Sequence, residues 1–184
     1  MLSDLRKSLS RRHLTDPAFG FLLEEDTSGE VVSLACATSS FEPEQAELRG
    51  FAAILIRGNR LLTSQRLELT FGPDGVPAVE AVARLLHFIG SRPLVGYYLD
   101  FAVDRLDRTV KPLVGIPLPN PRIEVSSLYY DRRIRTVSKS AVDLRFDTIL
   151  RDLDLPERGA TPTPFADAVA SGLIYLKLHQ LPKP

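Results

Sequence analysis

The stretch from Glu30 to Ser40, Glu-Val-Val-Ser-Leu-Ala-Cys-Ala-Thr-Ser-Ser, constrains this chain more than any other, because a polar break at Glu24 to Gly29 leads into an apolar run that reads as a buried first strand. Successive side chains on a strand point to opposite faces, which puts Val32, Leu34 and Cys36 on one side and Ser33, Ala35 and Ala37 on the other. One face is bulky and the other is pared down to small residues. A second strand, about Arg49 to Arg57, meets a third, about Leu61 to Thr70, across the hairpin-type dipeptide Gly58-Asn59, so the three should pair antiparallel.

Beyond a turn at Gly72-Pro73-Asp74-Gly75 the period changes. Val79, Val82, Leu85, Leu86 and Ile89 recur at helical spacing, Pro93 to Tyr98 is a short apolar strand, and Leu99, Val103, Leu106 and Val110 form the stripe of another helix. Pro112 to Pro121 holds four prolines in ten residues, which predicts an irregular surface connection. Ile123 to Val125 makes a fifth strand, with Ser126 or Ser127 capping a helix through about Arg133. The polar segment Arg135 to Ala141 is expected to be mobile. A helix follows over Leu144 to Leu153, then a proline-rich loop from Pro156 to Pro164. The last helix should have Thr163 as cap, Pro164 as first residue, and Phe165, Ala168, Val169, Gly172, Leu173 and Leu176 as its buried stripe. This order predicts an α/β fold with a mixed five-stranded sheet, three strands antiparallel and then two parallel, flanked by helices on both faces. Ahead of it, residues 2–13 read as a basic helix (Arg6, Lys7, Arg11, Arg12), and Asp16-Pro17 opens a short second helix through Leu23.

A chain of 184 residues with 44% hydrophobic residues suffices for one full core, divided here into an N-terminal helical extension, 1–25, and a domain over 26–184. Lys plus Arg and Asp plus Glu are equal at 23 each, so no global field draws the chain to nucleic acid or an anionic membrane. The basic N-terminal helix and Arg132, Arg133 and Arg135 are local candidates for phosphate contacts, with a solvated face as the plainer reading. Met1 to Lys7 lacks the apolar core of a secretory signal, no run is long enough to span a bilayer, and the single cysteine, Cys36, cannot form an internal disulfide. The expected location is cytoplasmic. His13, His87 and His179 have no metal-ligand spacing and no nucleophile-base pairing.

Three segments carry a resemblance: Val-Val-Ser-Leu-Ala-Cys-Ala-Thr-Ser-Ser (31–40), Leu-Val-Gly-Tyr-Tyr-Leu-Asp-Phe-Ala (94–102) and Phe-Ala-Asp-Ala (165–168). In that order they resemble the exonuclease motifs of the DnaQ-like DEDD 3'-5' exonucleases, a family with the ribonuclease H-like fold that includes the proofreading subunit of bacterial DNA polymerase III. The resemblance implies a site where two divalent ions, about 3.5–4 Å apart, activate a water and stabilise the leaving oxygen. Hard cations need oxygen ligands, and the family supplies four carboxylates, with a histidine as general base. Aligned on the motifs, the two first-strand acids fall on Ala35 and Ala37, the mid-chain acid on Ala102, and the base on Pro162, so that Asp167 alone survives.

The resemblance therefore implies the fold together with a degenerate site that holds no metal. The expected function is that of a catalytically inactive exonuclease-fold domain acting as a binding or regulatory module for a protein partner, with weak binding of single-stranded nucleic acid. Thr38, Tyr97, Tyr98 and Phe101 are the candidate substrate-binding residues, with packing at a strand end as the plainer account of the tyrosines. Asp167, in the first turn of its helix, is also explained by the helix dipole alone. One alternative is a residual nuclease using Mg or Mn held by displaced acids such as Glu42, Glu44 or Asp100. Another is a structural subunit docking a partner through the basic N-terminal helix.

Overall fold

The structure is a computed structural model that describes residues 10–42, 44–71, 75–134 and 142–180. Most of the expected basic helix, including Arg6 and Lys7, lies outside the described residues, as do the turn at 72–74 and the segment 135–141 with Arg135.

The anticipated sheet is present. Strands β1 (Glu30–Thr38), β2 (Leu48–Arg57), β3 (Arg60–Thr70), β4 (Leu94–Gly96) and β5 (Arg122–Glu124) lie in the order β3-β2-β1-β4-β5. The pairs β1·β2 and β2·β3 are antiparallel, while β1·β4 and β4·β5 are parallel. The hairpin turn places Gly58 at φ +58, as its sequence suggested. Along the exposed edge the register steps from Ile54↔Arg66 to Leu55↔Leu62, pushing Thr63, Ser64 and Gln65 out as a bulge that interrupts a surface otherwise open to another strand.

Helices α1 (Ala78–Ile89) and α2 (Leu99–Val114) cover the bulky face of the sheet, where Val82, Leu85, Leu86, Val103 and Leu106 pack against Val32, Leu34 and Phe51. Helices α3 (Val125–Arg133), α4 (Phe146–Asp152) and α5 (Pro164–Gln180) cover the other, with Ile149, Leu150 and Ile174 against Val31, Ile56 and Val95. Full burial of each such side chain contributes roughly 1.5–3 kcal/mol. On this second face the small side chains of β1 let α5 come close. The Ser33 hydroxyl donates to the Ala168 carbonyl at 2.6 Å, and Ala35 packs with Ala52, Ile54 and Ala168.

Several local expectations are corrected. Helix α2 continues through Pro112 to Val114, and the segment after it is not merely superficial. Ile116, Leu118 and Asn120 are buried while Pro117, Pro119 and Pro121 are exposed, a period-two pattern that gives prolines the solvent side of an extended strap. The cap of α3 is Glu124, whose carboxylate accepts from Ser126 N at 3.2 Å, rather than a serine hydroxyl. Helix α5 has no single stripe. It touches β1 to β4 on one side and α3 and α4 on the other, so Ala170, Ser171, Ile174 and Leu178 are buried, while Phe165, Val169 and Leu173 remain partly exposed. The short second helix is a 3-10 turn, Pro17–Leu23, capped by Asp16, and its Phe19, Leu22 and Leu23 join the core under α1 and α2. Thr15 N donates to Val114 O at 2.9 Å there, across Gly115 (φ +90), where a side chain would collide with the backbone of residues 13–15. Among the described residues no helix is long and apolar enough to cross a membrane.

Candidate functional site

A cleft of about 800 Å³ opens at the carboxyl ends of the parallel strands β1 and β4. Its floor comes from the small face of β1, where Ala35 and Ala37 project, followed by Thr38. Its second wall is the turn from β4 into α2. Gly96 is required at that turn, since a Cβ would lie 2.7 Å from the Leu34 carbonyl oxygen. Tyr98 adopts the left-handed conformation (φ 56, ψ 38), costing on the order of 1 kcal/mol for a residue with a side chain. Tyr97, Tyr98, Phe101 and Ala102 all face the cleft from this wall. The third wall combines the start of α4 (Arg145, Phe146, Asp147), the loop residues Arg158 and Pro162, and the first turns of α5 (Pro164, Asp167, Ser171). The structure thus brings together the five positions singled out in the sequence, Ala35, Ala37, Ala102, Pro162 and Asp167, and the four candidate binding residues Thr38, Tyr97, Tyr98 and Phe101.

The electrostatics of the cleft turn on a residue that sequence reading missed. The Arg158 guanidinium donates through Nη1 to Asp167 Oδ1 at 2.8 Å and through Nε and Nη2 to Asp147 Oδ1 at 2.9 and 2.8 Å. It also lies 4.2 Å above the Phe146 ring. Burial alone would lower the Arg158 pKa, but the hydrogen bonds and attraction from Asp167 and Asp147 outweigh it and raise the pKa. The other cation, Arg145, is held at the rim by two hydrogen bonds to Asp143 Oδ2, at 2.6 and 2.9 Å, and keeps that carboxyl well below its ordinary range. Both arginines of the cleft are therefore balanced by carboxylates.

Aromatic side chains supply most of the remaining surface. Tyr98, Tyr97 and Phe146 form a column, with ring centroids 5.5 and 4.3 Å apart, that ends on Arg158. Tyr97 is a packing residue in this column: its hydroxyl donates to Leu144 O at 2.9 Å, and burial raises its pKa. Tyr98 is 62% exposed, and Phe41, which also lines the cleft beside Phe101, is 83% exposed. The Thr38 hydroxyl donates to Ser40 O at 2.8 Å and so serves its own turn. Cys36 packs against the core on the bulky face, and burial pushes its thiol up to about 12.

The displaced acids considered as substitutes lie elsewhere. Asp100 pairs with Arg122 at 2.8 Å, and neither Glu42 nor Glu44 lines the cleft. Among the described residues no three His, Cys, Asp or Glu side chains converge as metal ligands. The carboxylates on the cleft wall are Asp147 and Asp167, both engaged by Arg158.

The sequence matches no protein-family model and no curated protein. Solved structures do match the fold. Exonuclease I is 12% identical over 82% of this chain and 40% of its own, with a TM-score of 0.66. The E. coli enzyme in complex with a dT13 oligonucleotide gives 12% identity and a TM-score of 0.64 over 83% of this chain and 41% of that one. The RNase domain of the yeast Pop2 protein is 10% identical, covers 97% of this chain and 82% of its own, and has a TM-score of 0.60. The chain spans about two fifths of exonuclease I. These likenesses establish the fold that the sequence motifs implied, the ribonuclease H-like fold of DEDD-type exonucleases.

Proposed function

We propose that this chain is an exonuclease-fold domain that has exchanged hydrolysis for binding and serves as an interaction or regulatory module. The observation that carries this reading is the Arg158 guanidinium seated on Asp167, the one acid left at the positions where the fold's metal ligands are expected. A fixed positive charge 2.8 Å from Asp167 Oδ1 repels a divalent ion and ties up one of the two oxygens of that carboxylate. Alanine at 35, 37 and 102 offers no ligand, and Pro162 offers no nitrogen to accept a proton. The donor set does not fit a pair of magnesium or manganese ions, so no hydrolytic step is assigned. What the residues do is organise a cleft. Arg158 ties the loop before α5 to the start of α4, and Tyr97 braces the β4 turn against Phe146.

The occupant by analogy is a single strand of nucleic acid, since exonuclease I has been seen with a dT13 oligonucleotide and, in a zinc-bound form, with single-stranded DNA. Binding here is expected to be weak, because both cleft arginines are already paired. A labelled single-stranded oligonucleotide incubated with magnesium or manganese should remain intact. Release of mononucleotides that requires the metal and vanishes in Asp167→Ala would overturn the reading in favour of a residual nuclease.

A further inference from the structure

Strand β3 lies at the edge of the sheet, and the part of it open to another strand is short and bounded at both ends. Its ladder with β2 runs regularly from Ile54↔Arg66 to Gly50↔Thr70. Phe71 N donates to Arg49 O at 2.7 Å, so by the alternation of an antiparallel ladder Leu69 and Leu67 also bond β2, while the N–H and C=O groups of Arg66, Glu68 and Thr70 face outward. Thr70 O is taken by Val76 N at 3.3 Å, and the bulge at Thr63 to Gln65 ends the regular edge on the other side. The outward groups of Arg66 and Glu68 remain as a template for a further strand. Their side chains decide which strand fits. Both are exposed, on the face of β3 that looks toward α5. The Arg66 guanidinium is positioned there: Nη1 donates to Thr63 O at 2.9 Å, and its carbon lies 5.0 Å from the centre of the Phe165 ring. Glu68 makes no ion pair among the described residues.

An antiparallel copy of β3 can bring this open segment onto itself in registers centred on Arg66, on Leu67 or on Glu68. The first sets arginine against arginine, and the last sets glutamate against glutamate. The register centred on Leu67 sets Arg66 opposite Glu68 and, by two-fold symmetry, does so twice. In it the outward backbone groups of Arg66 meet those of Glu68 as a hydrogen-bonded pair. We infer that the β3 edge pairs with the same edge of a second copy of this chain, antiparallel about a two-fold axis through Leu67, which joins the two sheets into one continuous sheet. The surface is self-complementary, so association closes at two copies and leaves no free template for a third. With so short a ladder the dimer is weak and reversible, not obligate. The cleft takes no part in this pairing, so its outcome leaves the reading of the cleft untouched.

Sedimentation equilibrium of the whole chain, from about 10 to about 500 µM, tests it. The mass should rise with concentration from 20.4 kDa toward twice that value and no further. Arg66→Glu and Glu68→Arg, both at exposed positions, each set like charges opposite one another at the two symmetric sites and should each weaken self-association about tenfold or more. Mixed in equal amounts, the two variants should associate with each other about as tightly as the parent does with itself. The double variant Arg66→Glu/Glu68→Arg should self-associate as the parent does. Recovery in either case requires folded chains, so misfolding cannot imitate the pattern. Three results would each overturn the inference: a mass that stays at 20.4 kDa throughout, a dimer indifferent to both single substitutions, or single variants that stay apart when mixed. The first is the result expected if the strand of a different protein, not a second copy, covers this edge.

Discussion

Replacing Arg158 with methionine tests whether a side chain has taken the place of a metal ion. Methionine keeps an unbranched stem over Phe146 and removes the charge and the three hydrogen bonds to Asp147 and Asp167. The Asp167 pair is the costly loss, because the two side chains are only 14% and 29% exposed; a charge-assisted hydrogen bond in such a setting contributes roughly 1.5–3 kcal/mol. The Asp147 partner is 63% exposed and adds about 0.5 kcal/mol after screening, and the lost cation–π contact adds about 0.5–1 kcal/mol. The sum is about 3 kcal/mol, or roughly 6–12 °C in melting temperature for a chain of this size. Urea denaturation of Arg158→Met, Asp167→Ala and the double variant measures it directly, and the cycle should return a coupling of about 1.5 kcal/mol or more. The same variant bares two carboxylates that had converged on one guanidinium. Millimolar manganese should then raise the melting temperature of Arg158→Met while leaving the parent unchanged. A single-variant loss below about 0.5 kcal/mol, or a coupling indistinguishable from zero, would refute the idea that this guanidinium holds the cleft together.

Other consequences follow from ionisable groups apart from the Arg158 cluster. Asp107, 5% exposed in α2, has its pKa raised by burial even though it accepts from Leu118 N at 2.8 Å. A folded-state pKa above the unfolded one means stability falls as pH rises from about 4 through the folded value and stays lower beyond it. Asp107→Asn keeps the acceptor and should stabilise the chain at pH 7 but not at pH 3 in thermal melts. Glu30 behaves oppositely: hydrogen bonding from Arg57 and then Arg92, acting against burial, lowers its pKa from 4.5. Its contribution is present above that value and lost as pH falls through the folded one. Glu30→Gln should therefore cost about 1–2 kcal/mol at pH 7, discounted for the half-exposed Arg57, and little at pH 3. The Cys36 thiol, raised to about 12, should react with a thiol reagent at pH 8 far more slowly in the folded chain than after denaturation.

How far the sequence disclosed this molecule depended on the range of the interaction being read. Alternation in Val31 to Ala37 located β1 and its small face, because strand period is obeyed locally, whereas Ala102, Pro162 and Asp167 were joined to it only through the resemblance to the exonuclease motifs. The proline-rich strap after α2 obeyed a period too, with Ile116, Leu118 and Asn120 turned inward, but the density of prolines concealed it. Arg158 was not legible at all. Its reach to Asp147 and Asp167 depends on a loop shaped by positive φ at Asp154 and Gly159, and nothing in Glu-Arg-Gly announces where that loop folds back. Ser171 was equally silent, since its burial comes from α5 being wedged between the sheet and two helices instead of presenting one stripe.

The alanines acquire a second meaning from this geometry. Ala35 sits against Ala168, Ala52 and Ile54, where α5 presses so close to β1 that Ser33 bonds its backbone. A carboxylate at position 35 would have to find solvent or a counter-ion past that contact, and Arg158, a cation that lines the same cleft, is already shared by two acids. Small side chains on β1, the tight seating of α5 and the Arg158 guanidinium on Asp167 are thus mutually supporting parts of one arrangement. Restoring a single acid at Ala35 or Ala37 should consequently destabilise the chain without creating a metal site, and manganese should rescue it only when Arg158 is removed as well; rescue with Arg158 in place would show that the cleft still accepts an ion.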